Sequence, residues 1–128
     1  NMPPRQHIMG FDATEDGTYL DVMRQAAESV DRPISLYDQE AAAFIELDMA
    51  VQALVVVLRG GKMTHFTGSA LLERAYSFDV PRAVITSSAD TEWRTSKRDI
   101  RLDKDEPKIL VPRLVGWLNS IPRVRDNI

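Results

Sequence analysis

Apolar and polar residues follow one another along the chain in blocks that predict strands alternating with helices. The most apolar segment is Ala53–Leu58, in which apolar and polar positions do not alternate. A continuous apolar run of this length is typical of a strand covered on both faces, as in the centre of a parallel sheet. Four further strands are predicted from shorter apolar runs at His7–Phe11, Ile34–Tyr37, Pro81–Thr86 and Asp99–Leu102.

The segments between these strands have the apolar spacing of helices. From Tyr19 to Val30, apolar side chains recur every three or four residues. Further helices are predicted from an N-cap at Asp38 to about Met49, and over Gly68–Ser77, Thr91–Arg98 and Glu106–Ile121. In the last of these, Pro112 must lie near the helix start or kink it. Strands alternating with helices predict an α/β fold, a doubly wound parallel sheet with helices on both faces.

Length and composition narrow the class of protein. The 128 residues suit one domain, 1–128. We expect Asn1, which precedes Met2, to be a residue added for expression, and 122–128 to be a tail or the start of a linker. The absence of cysteine excludes disulfides and thiolate metal sites, and it fits a cytoplasmic protein.

The charge and hydropathy of the chain bear on its partners. There are 16 basic and 19 acidic residues, interspersed, for a net charge of −3, which argues against a dedicated nucleic-acid binder. No apolar run approaches the roughly 20 residues of a membrane span. The N-terminus has no secretory signal pattern. We therefore expect no membrane association.

Polar side chains follow several of the predicted strands at the point where each ends. They are Asp12, Arg59, Thr86 and Lys104. The carboxyl ends of parallel strands meet at one edge of the sheet, where doubly wound domains hold their ligands. An acid, a hydroxyl and a lysine at this edge form the outline of a pocket that handles phosphoryl groups.

On these residues, the chain resembles the receiver domains of two-component response regulators over nearly its whole length. Such domains carry two acids after strand one, a phospho-acceptor Asp after strand three, a hydroxyl after strand four and a Lys after strand five. Asp12, Thr86 and Lys104 match the first acid, the hydroxyl and the lysine, and 67–74 resembles the start of the third helix. The resemblance implies a flavodoxin-like sheet of five strands in the order 2-1-3-4-5.

The chain departs from the receiver pattern at the acceptor. That position falls at Arg59 or Gly60, neither of which can form an acyl phosphate, and Ala13 stands in place of the second acid. Asp105 stands where the family usually has proline after the lysine. The resemblance therefore implies an atypical receiver, or pseudo-receiver. It would be a signalling module and not an enzyme, with Asp12, Arg59, Thr86 and Lys104 as a degenerate phosphorylation pocket.

The altered pocket also changes what it can bind. With its long guanidinium side chain, Arg59 could occupy the place of the metal ion and pair with Asp12. We expect no resident cofactor. Mg²⁺ would have Asp12 as its one clear ligand, with Glu15 and Asp16 as neighbours in sequence that could partly substitute for the missing acids.

A module that does not take up phosphate would act through protein contacts. The resemblance implies a partner face formed by the fourth helix, the fifth strand and the last helix, with Trp93, Arg94 and Arg101 as candidate contacts. The partner would be another protein or a second copy of the chain in a homodimer. The plainer interpretation packs Trp93 against the sheet and leaves the arginines solvated.

Two other functions stay open. The segment Thr67–Ser69 followed by Glu73 loosely resembles nucleoside deoxyribosyltransferases and TIR-type N-glycosidases, in which a Glu attacks or stabilises the anomeric carbon. The plainer interpretation makes Glu73 a salt-bridging residue on a helix surface. The other function is that of a doubly wound domain that binds an unrelated small ligand.

Overall fold

The computed structural model describes residues 7–14, 16–59, 68–87 and 95–123. Five strands and four helices lie in this part of the chain, and they alternate as predicted as far as the fourth strand, which the fifth strand follows without a helix among the described residues. The elements are β1 (Ile8–Asp12), α1 (Thr18–Ser29), β2 (Ile34–Tyr37), α2 (Glu40–Glu46), β3 (Ala53–Val57), α3 (Ser69–Ser77), β4 (Arg82–Thr86), β5 (Ile100–Asp103) and α4 (Pro107–Asn119).

The five strands form one parallel sheet with the order β2-β1-β3-β4-β5. This confirms the predicted order 2-1-3-4-5 and the doubly wound architecture. The central strands β1 and β3 run in register from the pair Ile8–Ala53 to the pair Asp12–Val57. The chain winds in opposite directions from this pair, so the topological switch point lies beyond the carboxyl ends of β1 and β3.

The sheet separates two apolar layers. One layer lies under α1 and α4 and includes Ile8, Val55, Ile85 and Leu114. The other lies under α2 and α3 and includes Phe11, Val56, Val84 and Leu71. Successive side chains of each central strand enter opposite layers. Both faces of β3 are therefore buried, which explains why its sequence shows no alternation of apolar and polar residues.

The predicted helix over Thr91–Arg98 is wrong in its second half. Residues 95–98 are not helical, and 91–94 lie outside the described residues. The carboxylate of Asp99 holds this segment in a turn, because its Oδ2 accepts the N–H of Ser96 at 2.6 Å and its Oδ1 accepts the N–H of Arg82 at 2.9 Å. The same carboxylate pairs with the guanidinium of Arg82 at 2.5 Å, with both side chains 1% exposed.

The second helix is shorter than its sequence pattern indicates. It begins at Glu40, with Gln39 and not Asp38 in the cap position. It ends at Glu46 because the backbone at Leu47 becomes extended and its side chain enters the core. The guanidinium of Arg74 donates to the Leu47 carbonyl at 2.8 Å, which satisfies the end of the helix.

The last helix, α4, contains Pro112 in its second turn. Pro112 is the sixth residue of α4, close to the helix start as its ring requires. The carbonyl of Lys108 consequently has no helical N–H four residues further along. Of the helices in the described ranges, none has the length and hydropathy to cross a membrane.

Candidate functional site

Asp12 is the last residue of β1 and is 2% exposed. Its Oδ1 accepts two hydrogen bonds from Thr14, one from the backbone N–H at 2.8 Å and one from the hydroxyl at 2.6 Å. Its Oδ2 is buried and has no hydrogen-bond partner among the described residues. Half of this carboxylate is therefore unsatisfied at the switch point of the sheet.

Burial determines the protonation behaviour of Asp12. It raises the pKa of the carboxyl above the ordinary value of 3.8, the hydrogen bonds from Thr14 lower it, Asp16 raises it and Lys104 lowers it. Burial also raises the pKa of the Tyr19 phenol, with smaller contributions from Asp16 and Asp12. Lys104 and Tyr19 thus lie within electrostatic reach of Asp12. The sequence pattern predicted this role for Lys104 but gave no signal for Tyr19.

A chain of local hydrogen bonds builds the loop between β1 and α1. The hydroxyl of Thr14 accepts the N–H of Asp16 at 3.2 Å, and the Asp16 carboxylate accepts the N–H of Thr18 at 2.9 Å. These bonds to Thr18 lower the pKa of Asp16. Asp16 therefore serves the first turn of α1, as Asp residues commonly do at helix starts. Glu15, the other candidate ligand, lies outside the described residues.

Thr86 and Lys104 share the sheet edge with Asp12 but not all on one face. Thr86 ends β4, is fully buried and pairs in register with Asp103, directly before the half-exposed Lys104. Alternation along the strands puts Asp12 on the α1/α4 face with Ile8, whereas Thr86 follows Val84 on the α2/α3 face. Lys104 lies within electrostatic reach of Asp12, whereas Thr86 lies on the opposite side of the sheet.

Arg59 does not occupy the place of a metal ion. It lies two residues beyond β3, is exposed, and forms no ion pair with Asp12. The preceding residue, Leu58, donates its N–H to the Ile85 carbonyl at 2.9 Å and buries its side chain in the α2/α3 layer. Continuing the register of Val57 with Ile85 by one residue places Leu58 level with Thr86. Next to the Thr86 hydroxyl, the residue that follows β3 is therefore the apolar Leu58. Gly60, the other candidate for the acceptor position, lies outside the described residues.

The N-terminus of α3 meets the same edge and is already occupied by a protein carboxylate. Glu40 accepts the N–H of Gly68 at 2.6 Å. Gly68 has a φ of 105°, and a Cβ there would lie 3.0 Å from Val56 Cγ1 and 3.1 Å from Leu58 Cδ2. Glycine is therefore required for α3 to approach β3. The sequence offered Gly68 as a helix start, but it gave no signal that Glu40, 28 residues away, would bind it.

The remaining candidates are distributed as follows. Arg101 is exposed on β5, while Trp93 and Arg94 lie outside the described residues. Glu73 is exposed in the second turn of α3, as expected of an ordinary surface residue. Within the described ranges, no group of three or more His, Cys, Asp or Glu side chains could hold a metal ion.

Comparisons with known proteins support the fold alone. No protein-family model matches the chain, and no curated protein matches it. Among solved structures, it is similar to a de novo designed Rossmann 2x3 fold protein, with a TM-score of 0.63, 7% identity and 91% of each chain covered. It also aligns with 25% of an O-acetylhomoserine sulfhydrylase of Wolinella succinogenes, over 63% of this chain, at 14% identity and a TM-score of 0.45. The first similarity agrees with the doubly wound α/β sheet; the second is too weak to carry an argument.

Proposed function

We propose that this domain is an atypical receiver-like signalling module that acts by protein contact and does not take a phosphoryl group on an aspartate. One observation carries the proposal. At the sheet edge that holds Asp12, the neighbouring strand β3 ends at Val57 and is followed by Leu58 and Arg59, and none of these three residues can form an acyl phosphate.

The electrostatics of the edge support the same conclusion. Mg²⁺ prefers an octahedral set of oxygen ligands and is usually held by one or two carboxylates together with phosphate oxygens. Asp12 offers one unpartnered oxygen, and Asp16 uses its carboxylate to begin α1. The N-terminus of α3, which could otherwise attract an anion, is neutralised by Glu40. Neither the metal nor the phosphoryl group would find the partners it needs.

The surface around β5 supports the interaction role. Arg101 on β5 is exposed, and three further exposed cations lie on the adjacent turn and on α4, namely Lys97, Arg98 and Arg113. The expected contacts of Trp93 and Arg94 stay predictions. A basic face of this kind suits a partner with acidic groups.

The proposal is tested by backbone NMR with Mg²⁺, in the presence and absence of BeF₃⁻, together with mass spectrometry after incubation with acetyl phosphate. We expect no shift centred on Asp12, Thr86 and Lys104, and no gain of a phosphoryl mass. Stoichiometric acyl phosphate on the wild-type chain, or saturable Mg²⁺-dependent shifts at these residues, would overturn the proposal.

Two variants sharpen this test. Leu58→Asp places a carboxylate level with Thr86, and Arg59→Asp places one at the predicted acceptor position. If the missing acceptor is what prevents phosphorylation, one of these variants gains BeF₃⁻ binding while the wild type stays silent. Asp12→Asn is the control, because any Mg²⁺ response that persists in this variant does not come from the pocket.

A further inference from the structure

The outward surface of α2 holds an unusual share of the exposed large apolar side chains. Three of the four such side chains in the described ranges lie within 44–49, and the fourth is Ile109 on α4. Ile45 is the most exposed of them, at 77%. With two exposed alanines, these residues form what we call the α2 patch, namely Ala41, Ala42, Phe44, Ile45 and Met49.

Ile45 is the centre of the α2 patch. Ala41 and Ala42 precede it by four and three residues, and these spacings put side chains on one face of a helix. Isoleucine is a poorer helix former than the residues that usually fill exposed helix positions, so local propensity does not explain it. Its exposure shows that packing within the chain explains it little better. Exposed apolar side chains that cluster in this way indicate a surface that another molecule covers.

The helix that carries the patch is held at both ends. The Glu40 carboxylate accepts the N–H of Gly68 at 2.6 Å, and the Leu47 carbonyl accepts the Nε–H of Arg74 at 2.8 Å. The guanidinium of Arg74 also lies 4.6 Å from the centre of the Phe44 ring. A partner would therefore bind a surface that is already ordered, which lowers the entropic cost of association.

The α2 patch is complementary to itself. Ile45 projects a large side chain, and Ala41 and Ala42 leave room one turn earlier. When two such helices pack antiparallel about a two-fold axis, the Ile45 of each copy faces the two alanines of the other. A two-fold contact uses the same surface on both molecules and needs this self-complementarity.

The size of the patch fits a contact between two copies. Its five side chains present roughly 400 Å² of apolar surface, which is within the range of the largest patches on monomers. A standard interface buries about 800 Å² on each partner, and somewhat more than half of that area is apolar. The patch thus supplies about the apolar area that one half of a dimer interface needs.

We propose that the α2 patch is the interface of a two-fold symmetric dimer of this chain, in which α2 packs antiparallel against α2 of a second copy. This surface differs from the face that the receiver resemblance implies, since α2 lies over the sheet face opposite α4. The inference rests on the proposed function in treating the domain as an interaction module, and it names the partner.

The first test is sedimentation equilibrium of the full chain over a range of concentrations. We expect a reversible monomer–dimer equilibrium with a dissociation constant of about 1–100 µM, as suits a small interface, and no larger species. Ile45→Lys should weaken the dimer about a hundredfold or more, because each dimer loses two central isoleucines and gains two charges. Ile109→Lys is the matched control on α4 and should dimerise as the wild type does.

The second test addresses the antiparallel arrangement and uses the absence of cysteine from the chain. Ala42→Cys and Ile45→Cys chains are mixed and oxidised, and we expect the mixed disulfide to exceed both disulfides between identical chains. Gly17→Cys is the control for random collision, since Gly17 is exposed before α1 and lies outside the patch. If Ile45→Lys does not fold, the cysteine variants still decide the matter.

Four outcomes would overturn the inference. The wild type could stay monomeric up to about 1 mM, Ile45→Lys could dimerise as well as the wild type, Ile109→Lys could be the variant that dissociates, or the mass could grow beyond the dimer. Repeating sedimentation with Mg²⁺ and BeF₃⁻ separates the two proposals. A monomer silent to BeF₃⁻ rejects the dimer alone, whereas a dimer through α2 that responds to BeF₃⁻ keeps the interface and rejects the phosphorylation-independent module.

Discussion

Arg32 and Arg123 donate hydrogen bonds to the C-terminal carbonyls of each other's helices, α4 and α1. Arg32, after α1, donates to the carbonyls of Leu118 and Ile121 at the end of α4, at 2.8 and 2.9 Å. Arg123, after α4, donates to the carbonyls of Asp31 at 3.0 Å and of Val30 at the end of α1. Cations at helix C-termini are favourable because the last carbonyls carry partial negative charge. The two arginines thereby join the helices of one sheet face.

Replacing Arg32 should destabilise the domain. The side chain is 5% exposed, and it also donates to Gln52 Oε1 at 2.8 Å. In Arg32→Met, the buried carbonyls and the Gln52 oxygen would lose their donors, and we expect a loss of roughly 3 kcal/mol in the free energy of unfolding. Urea unfolding measures it. Arg24→Met is the control, since Arg24 is exposed and forms an exposed ion pair with Asp21, and it should change stability by less than about 0.5 kcal/mol. Equal effects of the two variants would contradict the capping role.

Asp12 should titrate above 3.8 and Asp16 below it. Burial raises the pKa of Asp12, and the hydrogen bonds with Thr18 lower that of Asp16. A carbon-detected NMR titration of the carboxyl groups follows both residues in one sample. Because the folded state holds the Asp12 proton more tightly than the unfolded state does, Asp12 should reduce stability as the pH rises from 3.8 through its raised pKa.

Asp12→Asn should therefore gain stability relative to the wild type at neutral pH, and the difference should vanish well below pH 3.8. The amide oxygen can still accept the two hydrogen bonds from Thr14. Urea unfolding at several pH values measures the effect. A difference between the two proteins that does not change with pH would contradict the assignment to this carboxyl.

Gly116 and Gly68 should respond in opposite directions to replacement by alanine. Gly116→Ala should stabilise by about 0.5–1 kcal/mol, because it improves helix propensity and meets open space. Gly68→Ala should destabilise by about 1–2 kcal/mol, since φ is 105° there and the new methyl would crowd Val56 and Leu58. Denaturation midpoints of the two variants provide the measurement. Stabilisation by both would show that Gly68 is not required for the approach of α3.

Removal of the buried partner of Arg82 should be among the most damaging single changes. Asp99→Ala would leave the guanidinium buried without its carboxylate and would free the N–H groups of Arg82 and Ser96. Such losses typically cost about 3–5 kcal/mol. Thermal unfolding measures the change, with Asp21→Ala as the control on an exposed ion pair, for which about 0.5 kcal/mol is expected. A small effect of Asp99→Ala would mean that the loop re-forms without it.

The fold was predictable to the extent that burial leaves a local pattern in the sequence. The apolar run Ala53–Leu58 predicted a strand covered on both faces, and the structure confirms this with β3 at the centre of the sheet. The helix predicted over Thr91–Arg98 fails over 95–98 because a carboxylate bound to Arg82, 17 residues away, outweighs local helix propensity. The candidate site was predictable as a set of strand ends, which gave Asp12 and Lys104, but not as a pocket.

The sequence by itself determined which segments become strands and helices and which polar residues end the strands, because these depend on the spacing of neighbouring residues. The tertiary structure alone decided which of those residues meet. It placed Asp12 and Thr86 on opposite faces of the sheet. It also brought the Glu40 carboxylate to the N–H of Gly68. Arg32 reaches the end of α4 and Arg123 reaches the end of α1. These hydrogen bonds join residues 28 to 93 positions apart, and no local pattern in the sequence identifies such distant partners.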